Sequence, residues 1–479
     1  MNKEAWNAAE VLRVALIDPP TGLFIREDRC QAPIPQIGVA EMRPPIELAY
    51  MAGAFQAAGC VCSMKDYPAE KMTWEDVRRD LASFRPHLLV INTTVKTVHD
   101  DLKVCAIAKE LSPGILTLAR GLYPMMFAEA LLEQHSALDV VACAEPEGIA
   151  KQLAERKPLA DIPGIAYRDQ DTVRVTRPAE WCQDLDALPF PARNCMNLDL
   201  YLNAYTHERE TSIQVARGCS SACMFCVASA VAGTVPRVRS YQNILKEITE
   251  CVNKHGIRSF FLRADTFTFD KAWVCGLCHE LIQQKEKIRW VCNARVDTLD
   301  EEQIVLMKRA GCYAVSVGIE SGNQRILDQA QKRISTSQVR RAVQLLRSHG
   351  LIAVGYFMIG FPDDTQETIE ETMSFSTSLD LDAANFYIAY PFPGTAFYEL
   401  CRKSGLLEEE PFSRLPYVEA SVHTKFVSAR MLERWRKKMV RNFYMRPFFI
   451  LKQIKKYGIR NRWRTILSFG LRVVRQGWS

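Results

Sequence analysis

The sequence predicts an α/β protein of two parallel-sheet units: a doubly wound sheet first, then a partial barrel of six βα repeats, closed by a basic helical region. Three observations carry this reading. Over residues 12–156, short apolar runs alternate with amphipathic stretches of helical period, as in a parallel sheet covered on both faces. The same alternation resumes near residue 211 and repeats six times by about residue 400. Between the two lies a Pro-punctuated stretch without that rhythm.

In the first unit (1–156) the strand-like runs are 12–17, 87–92, 114–119 and 139–144, and the amphipathic stretches are 46–58, 74–84, 99–111 and 125–134. The loops leaving the strands are Asp18-Pro19-Pro20, Thr93 to His99, Arg120 to Tyr123 and Glu145 to Glu147. They should line the binding crevice, because ligands of open parallel sheets sit outside the strands' carboxyl ends. Residues 157–205 read as a hairpin turning near Asp169–Asp171, then a linker. In the second unit (206–400) strands are expected at 211–216, 259–264, 288–294, 313–319, 352–360 and 383–389, with functional groups at their carboxyl ends. Residues 401–479 form the helical C-terminal region.

Composition excludes several classes. With 479 residues, 48% hydrophobic and 24% charged, the chain is no disordered tail, collagen or small disulfide scaffold. No run approaches the roughly 18 apolar residues of a membrane span. The first residues carry charges where a signal peptide needs an apolar core, so a cytoplasmic location is expected. Sixteen cysteines in such a compartment point to metal or core packing rather than disulfides. The net charge of +6 divides into +14 over residues 430–479 and −8 over the rest.

The sharpest motif follows the first strand of the second unit. Cys219, Cys223 and Cys226, at x3 and x2 spacing on one loop, can give three thiolates to three irons of a four-iron four-sulfur (4Fe-4S) cluster, leaving the fourth iron open. A zinc site would need a fourth ligand that no nearby Cys or His supplies. Cys275 and Cys278, on an expected helix, read as packing residues.

This loop, with Phe225 before its third cysteine, resembles the radical S-adenosylmethionine (SAM) superfamily. The resemblance implies that SAM chelates the open iron and is cleaved reductively to a 5′-deoxyadenosyl radical, with flavodoxin or ferredoxin as one-electron donor. It extends to the later strand ends: Asp265 and Thr266 in an Asp-Thr-Phe-Thr run, Arg295, Glu320 and Ser321 in Gly-Ile-Glu-Ser, and Gly360 in Gly-Phe-Pro. These and Phe225 are the implied SAM contacts. Asp265 stands where many members carry a Gly-Gly-Glu run for the SAM amino group.

The first unit resembles the flavodoxin-like, cobalamin-binding domain of one branch of that superfamily. The resembling residues are Arg43-Pro44-Pro45 through Ala52, Arg120-Gly121, Glu145-Pro146-Glu147, and the linker Asp184 to Pro191. Thr93, Thr94, Gly121, Tyr123 and Glu145 are the implied cobalamin contacts. The Asp-x-His-x-x-Gly motif of classical cobalamin enzymes is absent, as is common in this branch. The resemblance covers roughly residues 12–400. It implies a C-methyltransferase in which a substrate radical takes a methyl group from methylcobalamin. Two other readings stay open: anaerobic tetrapyrrole cyclisation or another oxidation without methyl transfer, and a non-catalytic cobalamin- or redox-sensing membrane adaptor.

The tail interleaves bases with aromatics, among them Trp435, Phe443, Tyr444, Phe448, Phe449, Trp463, Phe469 and Trp478. Residues 446–456 and 462–474 read as basic amphipathic helices suited to the inner face of an anionic membrane. No nucleic acid is expected as partner. The tail favours a lipophilic small-molecule substrate, such as an isoprenoid lipid or a tetrapyrrole.

Overall fold

The computed structural model describes residues 10–34, 42–203, 206, 208–447 and 449–451. The first sheet comprises β1 (Arg13–Asp18), β2 (Val61–Asp66), β3 (Leu88–Asn92), β4 (Leu116–Arg120), β5 (Val140–Ala142), β6 (Ile165–Asp169) and β7 (Thr172–Val175). Its strand order is β2-β1-β3-β4-β5-β6-β7, and the first five are parallel in the 2-1-3-4-5 order of flavodoxin-like folds. The helices are α1 (Ile46–Ala57), α2 (Trp74–Phe84), α3 (Val98–Asp101), α4 (Lys103–Leu111), α5 (Leu122–Met126), α6 (Ala128–Gln134) and α7 (Pro146–Ala154). Alternate strand residues face the two helix layers. Val14, Leu16 and Val90 meet α1 and α7, while Ala15, Ile17 and Ile91 meet α2, α4 and α6.

Three details differ from the sequence expectation. β2 carries no apolar run because it is the edge strand, and only Met64 of its six residues is buried. The stretch 125–134 is divided at Phe127, whose backbone leaves helical geometry. The hairpin β6–β7 pairs antiparallel with β5, so it extends the first sheet instead of standing apart.

The second unit holds β8 (Glu210–Gln214), β9 (Ala216–Arg217), β10 (Arg237–Val238), β11 (Ser259–Arg263), β12 (Arg289–Ala294), β13 (Cys312–Glu320), β14 (Ile352–Ile359) and β15 (Ala383–Ile388). β8 and β11 to β15 form a parallel six-stranded sheet in sequence order, and β9 and β10 form a separate antiparallel ribbon. Around the sheet run α8 (Ala228–Ala232), α9 (Tyr241–His255), α10 (Lys271–Gln283), α11 (Glu301–Arg309), α12 (Gln324–Gln329), α13 (Thr336–Ser348), α14 (Gln366–Ser378) and α15 (Ala396–Lys403), with α16 (Ala429–Tyr444) last. Ser240, Asp270, Asp300, Ser335 and Thr365 begin five of them by accepting a backbone N–H of the first turn, which fixes each helix start after its strand.

Among the described residues β8 and β15 do not pair, so the barrel is open on one side. α16 covers its edge: Tyr444 Oη donates to Ala384 O at 2.7 Å and accepts from Ala384 N at 3.1 Å, and Leu432, Trp435, Met439 and Phe443 are buried. Trp435, Phe443, Tyr444 and Phe449 are therefore core residues, not a membrane-facing aromatic set. Phe448, Trp463, Phe469, Trp478 and most of the two expected tail helices lie outside the described residues. No described helix is long and apolar enough to cross a membrane.

Candidate active site

The cysteine loop is pinned at both ends. Gly218 takes φ +94, and a Cβ there would lie 2.3 Å from Val235 O, so glycine alone fits between β9 and β10. Gly218 N donates to Asp265 Oδ2 at 2.7 Å, Cys219 N to Gly233 O at 3.1 Å and Met224 N to Ala330 O at 3.1 Å. Cys219 is buried, with its Sγ 3.6 Å from Thr266 Oγ1 and accepting from Ser221 N at 3.4 Å. Cys223 Sγ accepts from Arg295 Nη1 at 3.6 Å. Burial pushes the Cys226 thiol up to about 11, with Arg29 opposing. Among the described residues no three Cys, His or acidic side chains converge on a single ion. Thiolates serving three different corners of one cluster need not do so, and an all-thiolate donor set suits iron–sulfur ligation.

Beside Cys219 opens a cavity of about 240 Å³, lined by Thr266, Arg295, Asp297 and Lys332 among others. Arg295 pairs with Asp297 at 2.9 Å and donates to Lys332 O at 2.7 Å. Lys332 is buried, its Nζ 2.7 Å from Glu320 Oε1 and 5.8 Å from the centre of the Phe225 ring. Glu320 ends β13 at φ +64, a left-handed conformation that non-glycine residues hold only under constraint. A Cβ on Gly318 would come within 2.6 Å of Glu320 Oε1 and 2.7 Å of Lys332 Nζ, so the pair occupies space that this glycine leaves open.

The structure thus gathers Cys219, Thr266 and Arg295 around one cavity and places Phe225 and Glu320 against Lys332. The other expected SAM contacts stand apart from it. Ser321 Oγ bonds Thr372 Oγ1 at 2.9 Å, and Gly360 N donates to Asp364 Oδ2 at 2.8 Å. Asp265 lines a second crevice, facing the first domain. Sequence reasoning missed Lys332, since a lysine between Gln331 and Arg333 reads as solvated surface.

That second crevice lies where the strand ends of the two sheets meet. The β1/β3 switch point itself is filled by the chain: Arg26 pairs with Asp101 at 3.1 Å and donates to Asn92 O at 3.1 Å, and Asn92 Nδ2 donates to Asp18 Oδ1 at 2.8 Å. Farther along, Arg120 meets Asp28 at 2.5 Å and Glu47 at 3.2 Å, while Arg263 of β11 meets Glu47 at 2.6 Å. Against the cost of burial, Arg263 and Arg120 hold the Glu47 carboxyl down to about 2. Glu145 lines the crevice and pairs with Arg217 at 3.1 Å and Arg237 at 3.0 Å. The other implied cobalamin contacts do not line it. Thr93 Oγ1 donates to Arg120 O, Thr94 bonds Thr97, Gly121 abuts Thr93, and Tyr123 packs on Phe127 and Phe412.

Arg120 Nε and Arg263 Nη1 are buried here without a hydrogen-bond partner. Two such donors suit the amide rim of a corrin. The open volume, about 50 Å³, is far below the ~300–1,000 Å³ of ordinary small-molecule sites, so groups that line it, among them Asp28 and Arg29 of the strap 19–34, would have to shift to admit a corrin.

Residues 213–376 match the radical SAM superfamily. The chain is 28% identical over 449 residues to an uncharacterized methyltransferase of Pyrococcus horikoshii, covering 93% of this chain and 95% of that one. It is 27% identical over 382 residues to an anaerobic magnesium-protoporphyrin IX monomethyl ester cyclase of Rubrivivax gelatinosus, covering 77% and 68%. The radical SAM methyltransferase TsrM of Kitasatospora setae, solved with cobalamin and a 4Fe-4S cluster bound, matches with a TM-score of 0.65 and 18% identity over 82% of this chain and 75% of that one. The chain is a radical SAM enzyme: residues 213–376 form its radical SAM domain, and the doubly wound domain ahead of them completes the two-domain fold seen in TsrM.

Proposed function

We propose that the chain is a cobalamin-dependent radical SAM methyltransferase acting at an unactivated carbon of a small molecule. The observation that supports it best is the junction at Asp265, where the cysteine loop of the barrel and the strap of the first domain are held by one carboxylate. When bound, the cluster with SAM supplies hydrogen abstraction, and cobalamin supplies the methyl group.

The chain's own residues do the positioning. Cys219, Cys223 and Cys226 hold the cluster. Arg295 and Lys332 give the cavity its positive charge, suited to the SAM carboxylate, and Glu320 orients the Lys332 ammonium. Thr266 offers a hydroxyl at the Cys219 corner. Burial by Phe225 and Phe361, whose rings stand 5.6 Å apart, keeps water from one flank. A flavodoxin- or ferredoxin-class protein is the fitting electron donor.

Anaerobic incubation of the reconstituted protein with SAM, cobalamin, reductant and host extract tests this reading. The expected products are S-adenosylhomocysteine and a small molecule heavier by one methyl group. The likeness to the Rubrivivax cyclase favours a second reading, oxidation or ring closure without methyl transfer, for which 5′-deoxyadenosine would form without S-adenosylhomocysteine. The basic tail is suited to an anionic membrane surface. Equal binding to anionic liposomes after deletion of residues 445–479 would remove that part of the proposal.

A further inference from the structure

Seven arginines are buried among the described residues, and six of them stand in salt bridges, as Arg193 and Arg239 do with Glu247. Arg436 is the seventh. It is 5% exposed in the middle of the buried stripe of α16, and among the described residues it has no carboxylate or hydrogen-bond partner. Glu433, one turn earlier, is the acidic group whose charge it feels, but Glu433 Oε1 is taken by Ala420 N at 3.0 Å. A buried cation without a partner is expensive, and folds rarely retain one that nothing neutralises. Burial pushes its pKa down to about 10, with the charges of Tyr387 and Glu433 opposing.

Among the described residues, its surroundings are aromatic. On β15 Phe386 faces α16, with Phe357 stacked on it at 5.3 Å and Phe443 at 5.8 Å. Strand alternation therefore turns Tyr387 to the other face, into the barrel. There Tyr387 lies 6.0 Å from Tyr356 and 5.0 Å from Tyr417, ring centre to ring centre. β15 is the edge strand, so a long side chain from α16 can pass it and reach Tyr387, with which Arg436 interacts electrostatically. Arg43, which lies over the Phe261 ring of β11 at 4.3 Å, bears on Tyr387 from the first-domain side.

We propose that Arg436, with Tyr387, anchors an anionic group of the substrate at the lateral edge of the barrel that α16 covers, and that the substrate is an organic carboxylate or phosphate with an apolar body lying along Tyr356, Tyr387 and Tyr417. This rests on the reading of the barrel interior as the reaction chamber. It adds to the generally lipophilic substrate one required charge.

Thermal unfolding of the anaerobically reconstituted full chain tests it, with millimolar phenylacetate, phenyl phosphate or the neutral phenylacetamide as probes. One or both anions should raise the wild-type midpoint by about 2 °C or more while the amide does not, and the better anion identifies the group. Arg436→Met should be more stable than wild type without a probe, since it removes the unpaired charge, and should lose the anion response. Arg436→Lys should keep a weaker one. No anion-specific shift in the wild type, or an undiminished shift in Arg436→Met, overturns the proposal. Because stability is read rather than turnover, failure here is separable from failure of the methyltransferase reading.

Discussion

Arg29 Nη1 stands 3.0 Å from Asp265 Oδ1. The other oxygen of Asp265 holds the amide of Gly218 at 2.7 Å, directly before Cys219, and Arg29 also donates to Ala264 O at 3.2 Å. A residue of the first-domain strap thus sets the cysteine loop, and its charge acts on Cys226. Arg29→Gln should shift the cluster's reduction potential negative, on the order of tens of millivolts, because the reduced cluster loses a nearby cation. An EPR-monitored redox titration reads this, and an unchanged potential would refute the coupling.

Gly318 leaves the space that the Glu320–Lys332 pair fills. Gly318→Ala should displace both side chains and weaken SAM binding at least tenfold, with the iron content unchanged. Equilibrium dialysis with SAM and an iron assay separate these effects. Wild-type affinity in the variant would remove Lys332 from the SAM site.

Glu247 is buried and shared by Arg193, at 2.6 Å, and Arg239, and so ties the inter-domain linker to α9. Glu247→Gln leaves two buried guanidinium groups without their counter-charge. It should destabilise the fold by about 3–5 kcal/mol in urea unfolding. A loss below 1 kcal/mol would show that the linker is not anchored there.

Asp364 is buried under the Gly360 turn, and burial raises its pKa to about 6 although Thr368 Oγ1 and the Gly360 and Phe361 amides oppose it. An unfolded Asp titrates near 4. The stability this carboxyl contributes is therefore full below about pH 4 and is lost as pH rises through 6, about 3 kcal/mol in all. Asp364→Asn stays neutral, so the wild type should fall relative to it by that amount between about pH 4 and 7. Parallel stability profiles would contradict the assignment.

Much of this architecture was legible in the sequence for a physical reason. The six barrel strands, largely buried, read as apolar runs, and each lies within two residues of its expected place. β2, exposed at an edge with Val61 and Lys65 outward, offered no such run. The cysteine loop stood out in the sequence because the spacing of its three cysteines is local. Lys332, Arg29 and Arg263 were not, because each gains its role from partners on other elements: Glu320, Asp265 and Glu47. Arg436 was hidden among fifteen bases of residues 430–479, since sequence cannot tell a buried arginine from a solvated one. The aromatics of α16 misled for the same reason, because their burial depends on the free edge of β15.

The strap over the interdomain crevice joins Asp28 to Arg120 at 2.5 Å. If it must part for a corrin, Asp28→Asn should take up hydroxocobalamin faster than wild type, read by the absorbance change on mixing with the apoprotein. Uptake at the wild-type rate would mean that the strap does not gate the crevice.

The central claim is methyl transfer by a radical SAM barrel, and SAM carrying a deuterated methyl group tests it most directly. Under reducing, anaerobic conditions with cobalamin and host extract, the wild type should form S-adenosylhomocysteine and a labelled small molecule, while Cys223→Ala forms neither that product nor 5′-deoxyadenosine. Reductant-dependent 5′-deoxyadenosine with no label in any product, or labelled product from Cys223→Ala, would contradict it.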